Sequence, residues 1–120
     1  MATILVVDDE PDIRTVMSML LPLDGHVVVT AADGLDALDI VATTPVDLVF
    51  TDWRMPRMGG LELCKRLRTD GEACAIPILV SSAAMAEPPG RGDLYDAFLP
   101  KPAAYADQME AIERLLRRRK

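Results

Sequence analysis

The amino-acid sequence predicts an α/β domain in which helices cover both faces of a five-stranded parallel sheet. Short apolar runs alternate five times with longer stretches whose apolar residues recur at helical spacing. The first of them, at residues 3–7, is continuously apolar after Thr3, which is typical of a strand buried on both faces. Regular alternation of strand and helix favours a parallel sheet.

The predicted elements follow one another closely along the chain. Strands are predicted at residues 3–7, 26–31, 46–51, 76–81 and 97–99, and helices at residues 34–43, 61 to about 68 and 104–118. A further helix begins at Pro11, which suits a first helical turn, and stops at Pro22 and Gly25. In the helix from residue 61, we expect Leu61, Cys64 and Leu67 to face the core.

Length and composition fit one folded domain over residues 1–120, whether complete or excised from a longer protein. Half of the 120 residues are hydrophobic and 27% are charged, which favours a packed core over disorder. The net charge of −6 argues against direct binding of nucleic acid, although residues 117–120 form a basic tail. The two cysteines lack the spacing of a metal site, and the sequence shows neither a signal peptide nor an apolar run of membrane length. These features predict a cytoplasmic protein.

Polar side chains follow four of the five predicted strands. They are Asp8 and Asp9, Asp52, Ser81 and Ser82, and Lys101. The carboxyl ends of parallel strands meet at one edge of the sheet, where such folds bind their ligands. Carboxylates gathered there repel one another by about 3 kcal/mol per pair at ~5 Å and an effective dielectric constant of ~20. A hard divalent cation relieves that repulsion, so the sequence predicts a magnesium site.

The same group of residues suits phosphoryl chemistry. A carboxylate can act as a nucleophile and form an aspartyl phosphate, the ammonium group of Lys101 can pair with phosphate, and a serine hydroxyl can donate to a phosphate oxygen. A Ser–His–Asp arrangement does not compete, because the single histidine, His26, begins a strand at the opposite edge. Since Lys101 lies at the edge of the sheet, its replacement by Ala is expected to change stability by no more than about 1 kcal/mol.

These motifs, in this order, resemble the receiver domains of response regulators across nearly the whole chain. The strongest one is Asp52-x-x-Met55-Pro56-x-Met58-x-Gly60 after a strand, and the others lie in residues 5–10, 32–38, 76–83 and 101–102. The resemblance implies a flavodoxin-like (βα)5 fold with strand order 2-1-3-4-5. It also implies a phosphoryl-accepting switch in a two-component pathway.

The resemblance further implies a role for each site residue. Asp52 matches the phosphorylated aspartate, which also binds Mg²⁺; Asp9 matches a direct metal ligand, and Asp8 one that acts mainly through water. The backbone carbonyl of Arg54 matches the remaining protein ligand. Lys101 matches the lysine that pairs with the phosphoryl group. Ser82, rather than Ser81, matches the switch hydroxyl, and Phe98 the switch aromatic residue; in structural terms alone, Phe98 is equally well a core residue.

One segment departs from the family pattern. The family has a fourth helix after Ser82, but four of residues 88–92 are proline or glycine, and no regular helix crosses such a stretch. We therefore expect that helix to be shortened or replaced by a loop. Few apolar side chains precede Leu94 and Tyr95, so residues 86–92 are expected to be the loosest part of the domain and to become ordered on phosphorylation.

The leading hypothesis is a signalling switch that accepts a phosphoryl group from a histidine kinase or histidine phosphotransfer protein. It would catalyse only its own phosphorylation and slow dephosphorylation, and would act as a monomer or a phosphorylation-dependent dimer on an unknown output partner. The alternative is a module of the same fold that signals by binding alone. A phosphatase acting through an aspartyl phosphate is disfavoured, because Arg54 stands where its general acid belongs.

Overall fold

Five parallel strands form one sheet in the order β2-β1-β3-β4-β5. The computed structural model describes residues 2–83 and 86–118. The strands are β1 (Thr3–Val7), β2 (Val27–Ala31), β3 (Leu48–Asp52), β4 (Ile78–Ser82) and β5 (Ala97–Pro100). The predicted flavodoxin-like fold and its strand order are confirmed.

Four α-helices accompany the sheet within the described residues. They are α1 (Pro11–Leu20), α2 (Gly34–Thr43), α3 (Gly60–Thr69) and α4 (Tyr105–Arg118). Single 3-10 turns at Leu21–Asp24 and Ala73–Ala75 follow α1 and precede β4. The last two residues of the basic tail, Arg119 and Lys120, lie outside the described residues. No described helix is both long enough and apolar enough to cross a membrane.

The sheet is buried on both faces because successive strand residues point to opposite sides. On β1, Leu5 and Val7 belong to the core under α2 and α3, whereas Ile4 and Val6 belong to the core under α1 and α4. All four of these side chains are at most 2% exposed. This two-sided burial explains the continuous apolar runs and leaves polar residues to the strand ends.

The inward face of α3 differs from the sequence-based prediction. Cys64 and Leu67 are buried as expected, but Leu61 is 41% exposed and Leu63 is completely buried instead. The cause lies at the start of the helix: a Cβ atom on Gly60 would lie 2.6 Å from the carbonyl oxygen of Asp52. This close approach fixes the rotation of α3, so residues 60, 63, 64 and 67 form its buried stripe.

The connection from β4 to β5 contains no helix among its described residues, 83 and 86–96, as the prolines and glycines predict. Ala84 and Met85, which belong to the same connection, lie outside the described residues. The loop is organised by Tyr95, whose side chain is completely buried. Its hydroxyl donates to the backbone carbonyl of Pro88 and lies 3.4 Å from a carboxylate oxygen of Glu87.

Candidate functional site

The carboxyl end of β1 places two acids at the edge of the sheet. Asp8 continues the strand direction, with its backbone N–H donating to the carbonyl of Ala31 at 3.1 Å, and it is only 3% exposed. Its carboxylate accepts the backbone N–H of Glu10 at 3.0 Å, which closes the turn into α1. Arg14, one turn into α1, donates to the carbonyl of Asp8 at 2.6 Å. Asp9 lies next in this fixed turn and is exposed.

Asp52 ends the neighbouring strand and lies beside Asp8, because the β1–β3 register pairs Val7 with Thr51. One of its carboxylate oxygens, Oδ1, accepts the backbone N–H of Trp53 at 2.7 Å. The side chain is 11% exposed, so the carboxylate is mostly buried but still partly accessible to solvent. Parallel pairing therefore brings together acids that are 44 positions apart in the chain.

Lys101 bridges the acids from β5. Its backbone N–H donates to the carbonyl of Ser82 at 2.8 Å. Its ammonium group donates to Asp8 Oδ2 at 2.9 Å and to Asp52 Oδ2 at 3.1 Å, with Glu10 farther away at 3.9 Å. Partial burial alone would lower the pKa of Lys101, but the hydrogen bonds and charges of Asp8 and Asp52 outweigh it and raise that pKa above its usual value. Lys101 is therefore charged at neutral pH.

The three acids are close enough together to share a metal ion. One carboxylate oxygen from each of Asp8, Asp9 and Asp52 lies within 4.8 Å of the others. Carboxylate oxygens are hard ligands that suit Mg²⁺. The exposure of Asp9 leaves room for the several water molecules that Mg²⁺ usually keeps. A cavity of about 180 Å³ adjoins the group and is lined by Glu10, Asp52, Arg54, Ser82, Ala83 and Lys101. The donor atoms and the adjacent space fit a hydrated magnesium ion and a phosphoryl group.

The remaining predicted site residues occupy two different environments. Ser82 and Arg54 line the cavity beside Asp52; Ser82 is 2% exposed, and Arg54 is on the surface. Phe98 pairs with Val80 in the sheet and packs, partly buried, against the core under α2 and α3. The structure thus brings Asp8, Asp9, Asp52, Arg54, Ser82 and Lys101 to one edge of the sheet, while Phe98 lies in the adjoining core.

Two contacts near the site were not anticipated from the sequence. Tyr95 packs edge-to-face against Trp53, the residue after Asp52, with ring centroids 5.9 Å apart. Arg57, in the loop after β3, pairs with Asp33 and Asp36 at the start of α2. The sequence offers one partial signal, because Asp33 before Gly34 is a typical N-terminal helix cap.

His26 lies at the opposite edge of the sheet, as expected. It is 8% exposed; Nδ1 accepts the backbone N–H of Ala2 at 3.3 Å, and Nε2 lies 2.9 Å from Oε2 of Glu113 on α4. These contacts tie the start of the chain to the last helix. His26 therefore has a local structural role, away from the acids.

Comparisons with known proteins agree on one family. The sequence profile of the response regulator receiver domain matches residues 4–113. Response regulator MprA of Mycobacterium sp. (strain KMS) is 38% identical over 116 residues, which cover 96% of this chain and 50% of the relative. The chain thus spans about half the length of the curated relatives it matches.

Solved structures show the same likeness. Chemotaxis response regulator CheY4 of Vibrio cholerae aligns with a TM-score of 0.89 and 30% identity, covering 96% of this chain and 98% of the other. Response regulator TrrA of Thermotoga maritima, solved in complex with Mg²⁺-BeF, aligns with a TM-score of 0.82 and 31% identity, covering 96% and 99%. The second structure has metal and a beryllium fluoride group bound to a fold of this type.

Proposed function

The chain belongs to the response-regulator receiver domain family of two-component signalling, and from this premise we propose that it accepts a phosphoryl group on Asp52 from a histidine kinase or a histidine phosphotransfer protein. One observation carries the proposal. The ammonium group of Lys101 lies within hydrogen-bond distance of both Asp8 and Asp52, while Asp9 completes an acidic group beside a cavity of phosphoryl size. A module that signals by binding alone has no need of this arrangement.

The proposed reaction is an in-line displacement at phosphorus. A carboxylate oxygen of Asp52 forms a bond to the phosphorus of a phosphohistidine, and the P–N bond breaks. The electron pair of that bond stays with the imidazole nitrogen of the donor, and the product is an aspartyl phosphate. The protein mainly contributes positioning, because the backbone N–H of Trp53 holds one carboxylate oxygen of Asp52 and the ammonium group of Lys101 holds the other.

Asp8, Asp9, Asp52 and the backbone carbonyl of Arg54 are the proposed magnesium ligands, with Asp8 acting mainly through water. When bound, Mg²⁺ supplies positive charge that offsets the three carboxylates and the incoming phosphoryl oxygens. Lys101 then pairs with a phosphoryl oxygen as a point charge. Slow hydrolysis of the aspartyl phosphate returns the domain to its starting state, so it acts as a switch rather than as a conventional enzyme.

Phosphorylation is proposed to act through the loop that follows β4. Ser82 lines the cavity, and its hydroxyl donates a hydrogen bond to a phosphoryl oxygen, which pulls on the end of β4. Phe98 on β5 lies beside β4 and is the proposed aromatic partner of that movement. Residues 86–92, in the loop between β4 and β5, contain no helix, so a change in the order of this loop, rather than of a full fourth helix, would alter the output surface.

Three exposed apolar side chains lie along α1 and the turn that follows it. Val16 and Met19 on α1, and Leu23 in the turn after it, are 49%, 66% and 81% exposed. Exposed apolar side chains along one helix favour protein contact, and because α1 begins two residues after Asp9, we assign this face to the phosphodonor. The proposal includes a cytoplasmic setting and a single domain over residues 1–120. This domain acts on an unknown output partner, as a monomer or a phosphorylation-dependent dimer, without direct contact to nucleic acid.

Intact mass spectrometry tests the assignment of Asp52. The protein is incubated with Mg²⁺ and a small phosphodonor such as acetyl phosphate, and should gain the mass of one phosphoryl group. Asp52→Asn keeps the shape and removes the nucleophile, so it should gain none, whereas Asp39→Asn on α2 should behave as the parent does. An unmodified parent would support binding without phosphorylation, and a modified Asn variant would place the acceptor elsewhere.

A further inference from the structure

The loop between β3 and α3 is fastened to the start of α2 by Arg57. Building on the proposed function, we propose that Arg57 is a positioning residue for magnesium: its contacts with α2 hold the loop that presents the backbone carbonyl of Arg54. The motif from Asp52 to Gly60 is shared with the family, but the resemblance assigns no role to Arg57 within it. The assignment comes from the contacts that this side chain makes.

Arg57 reaches across to α2 with two nitrogen atoms. Its Nε lies 2.5 Å from Oδ2 of Asp33, and a terminal nitrogen lies 3.1 Å from Oδ1 of Asp36. The backbone of Arg57 has φ +62°, in the left-handed region that non-glycine residues rarely adopt. An arginine held there, where glycine or asparagine is more usual, indicates that its side chain stabilises the conformation.

Asp33 is a fixed anchor for this contact. It is only 4% exposed, and its other carboxylate oxygen accepts the backbone N–H of Asp36 at 3.0 Å, capping α2. The hydrogen bond from Arg57, followed by that from the backbone of Asp36, lowers the pKa of Asp33 below its ordinary value. Asp33 is therefore charged at neutral pH and held in place by the helix that it caps.

The backbone reinforces the same junction. Gly34 donates its N–H to the carbonyl of Met58 at 2.9 Å, and a Cβ atom on Gly34 would lie only 2.7 Å from Cγ of Met58. At the far end of the loop, the N–H of Gly60 donates to the carbonyl of Trp53 at 2.8 Å. The ends of the loop are thus fixed by the backbone, and Arg57 fixes the middle from outside.

The position of the loop matters for magnesium binding because Arg54, three residues before Arg57, offers its backbone carbonyl oxygen as a ligand. The direction of that oxygen depends on the φ and ψ angles of the loop. A loop already held in place loses less freedom when it receives a metal ion. Residues that orient metal ligands without touching the metal can raise the affinity for the metal by this effect. The competing explanation is a surface ion pair of little consequence, since the Arg57 side chain is 56% exposed.

Arg57→Gly separates these explanations, because glycine adopts φ +62° without strain while losing both contacts with α2. Magnesium affinity is measured by calorimetry and by the fluorescence of Trp53, which adjoins Asp52. We expect the dissociation constant to rise about three- to tenfold, below the ~10- to 100-fold typical of outer residues of metal sites, because Arg57 is exposed. Arg66→Ala is the matched control, since Arg66 is ion-paired and 55% exposed but lies on α3; its affinity should equal that of the parent.

Asp33→Asn provides a second variant that preserves the fold, because asparagine also caps helices well. It should weaken magnesium binding to a similar extent, and the double variant with Arg57→Gly should be no weaker than either single change. Equal dissociation constants in parent and Arg57→Gly, with the parent still phosphorylated on Asp52, would overturn the role of Arg57 alone. A parent that binds no magnesium would overturn both this role and the metal part of the proposed function.

Discussion

Replacing Lys101 with Met removes the ammonium group that bridges Asp8 and Asp52 but keeps most of the length of the side chain. Each contact, at close to 3 Å and an effective dielectric constant of ~20, is worth about 5–6 kcal/mol of attraction before desolvation is subtracted. After Lys101 is removed, two carboxylates face each other, one of them 3% exposed. Arg14, another cation described beside the acids, donates to the backbone carbonyl of Asp8 rather than to either carboxylate.

Removing one partner from a buried ion pair typically costs 3–5 kcal/mol, and the 21% exposure of the Lys101 side chain reduces this figure. We therefore expect Lys101→Met to lower the free energy of unfolding by about 2–4 kcal/mol without metal. This exceeds the change of no more than about 1 kcal/mol that the sequence led us to expect for Lys101→Ala, because a position at the edge of the sheet does not reveal that both partners are largely buried.

Magnesium should reverse much of the loss, since its two charges replace that of the ammonium group. A ligand specific to the native state contributes about 2.7 kcal/mol at a hundredfold excess over its dissociation constant, and removal of a competing cation should tighten binding. The variant should therefore gain more stability from Mg²⁺ than the parent does.

Urea unfolding, followed by Trp53 fluorescence and circular dichroism in EDTA and in Mg²⁺, measures both effects. Lys65→Met, at an exposed position on α3, is the control and should stay within about 0.5 kcal/mol of the parent. The reasoning is refuted if the two methionine variants are equally stable in EDTA, or if magnesium stabilises parent and Lys101→Met by the same amount.

Two other predictions follow from buried groups outside the acidic site. Tyr95→Phe removes the hydroxyl bound to Pro88, and should speed amide exchange across residues 86–92 and lower the free energy of unfolding by about 1–2 kcal/mol. The control is Tyr105→Phe, which removes an exposed hydrogen bond of 2.7 Å to Asp24. Unchanged exchange in Tyr95→Phe, or the same change in both variants, would contradict this prediction. Burial raises the pKa of Cys64 to about 12. Between about pH 9 and pH 12 the unfolded chain therefore loses a proton that the native state keeps. The free energy of unfolding should then fall by up to about 1.4 kcal/mol per pH unit. Urea unfolding at several pH values in that interval should show that the free energy of unfolding falls less steeply with pH in Cys64→Ala than in the parent. Identical slopes in the two proteins would contradict the role of Cys64.

The order of the elements and the gathering of the acids could be predicted from the sequence because both depend on local pattern and on one general rule. Apolar runs of strand length alternate with helical periodicity, and the carboxyl ends of parallel strands share an edge. Asp8, Asp52 and Lys101 each come directly after such a run, so their proximity follows once the sheet is parallel. The proline and glycine residues after Ser82 excluded a regular helix for equally local reasons.

Tertiary structure alone determined which apolar residues of α3 face inward, because the close approach of Gly60 to the backbone of Asp52 sets the rotation of the helix. It also determined the pairing of Arg57 with Asp33 and the packing of Tyr95 on Trp53. Each of these contacts joins residues distant in the chain through the reach and orientation of side chains. No periodicity or local motif encodes such contacts, since they exist only when the elements that carry them have packed together.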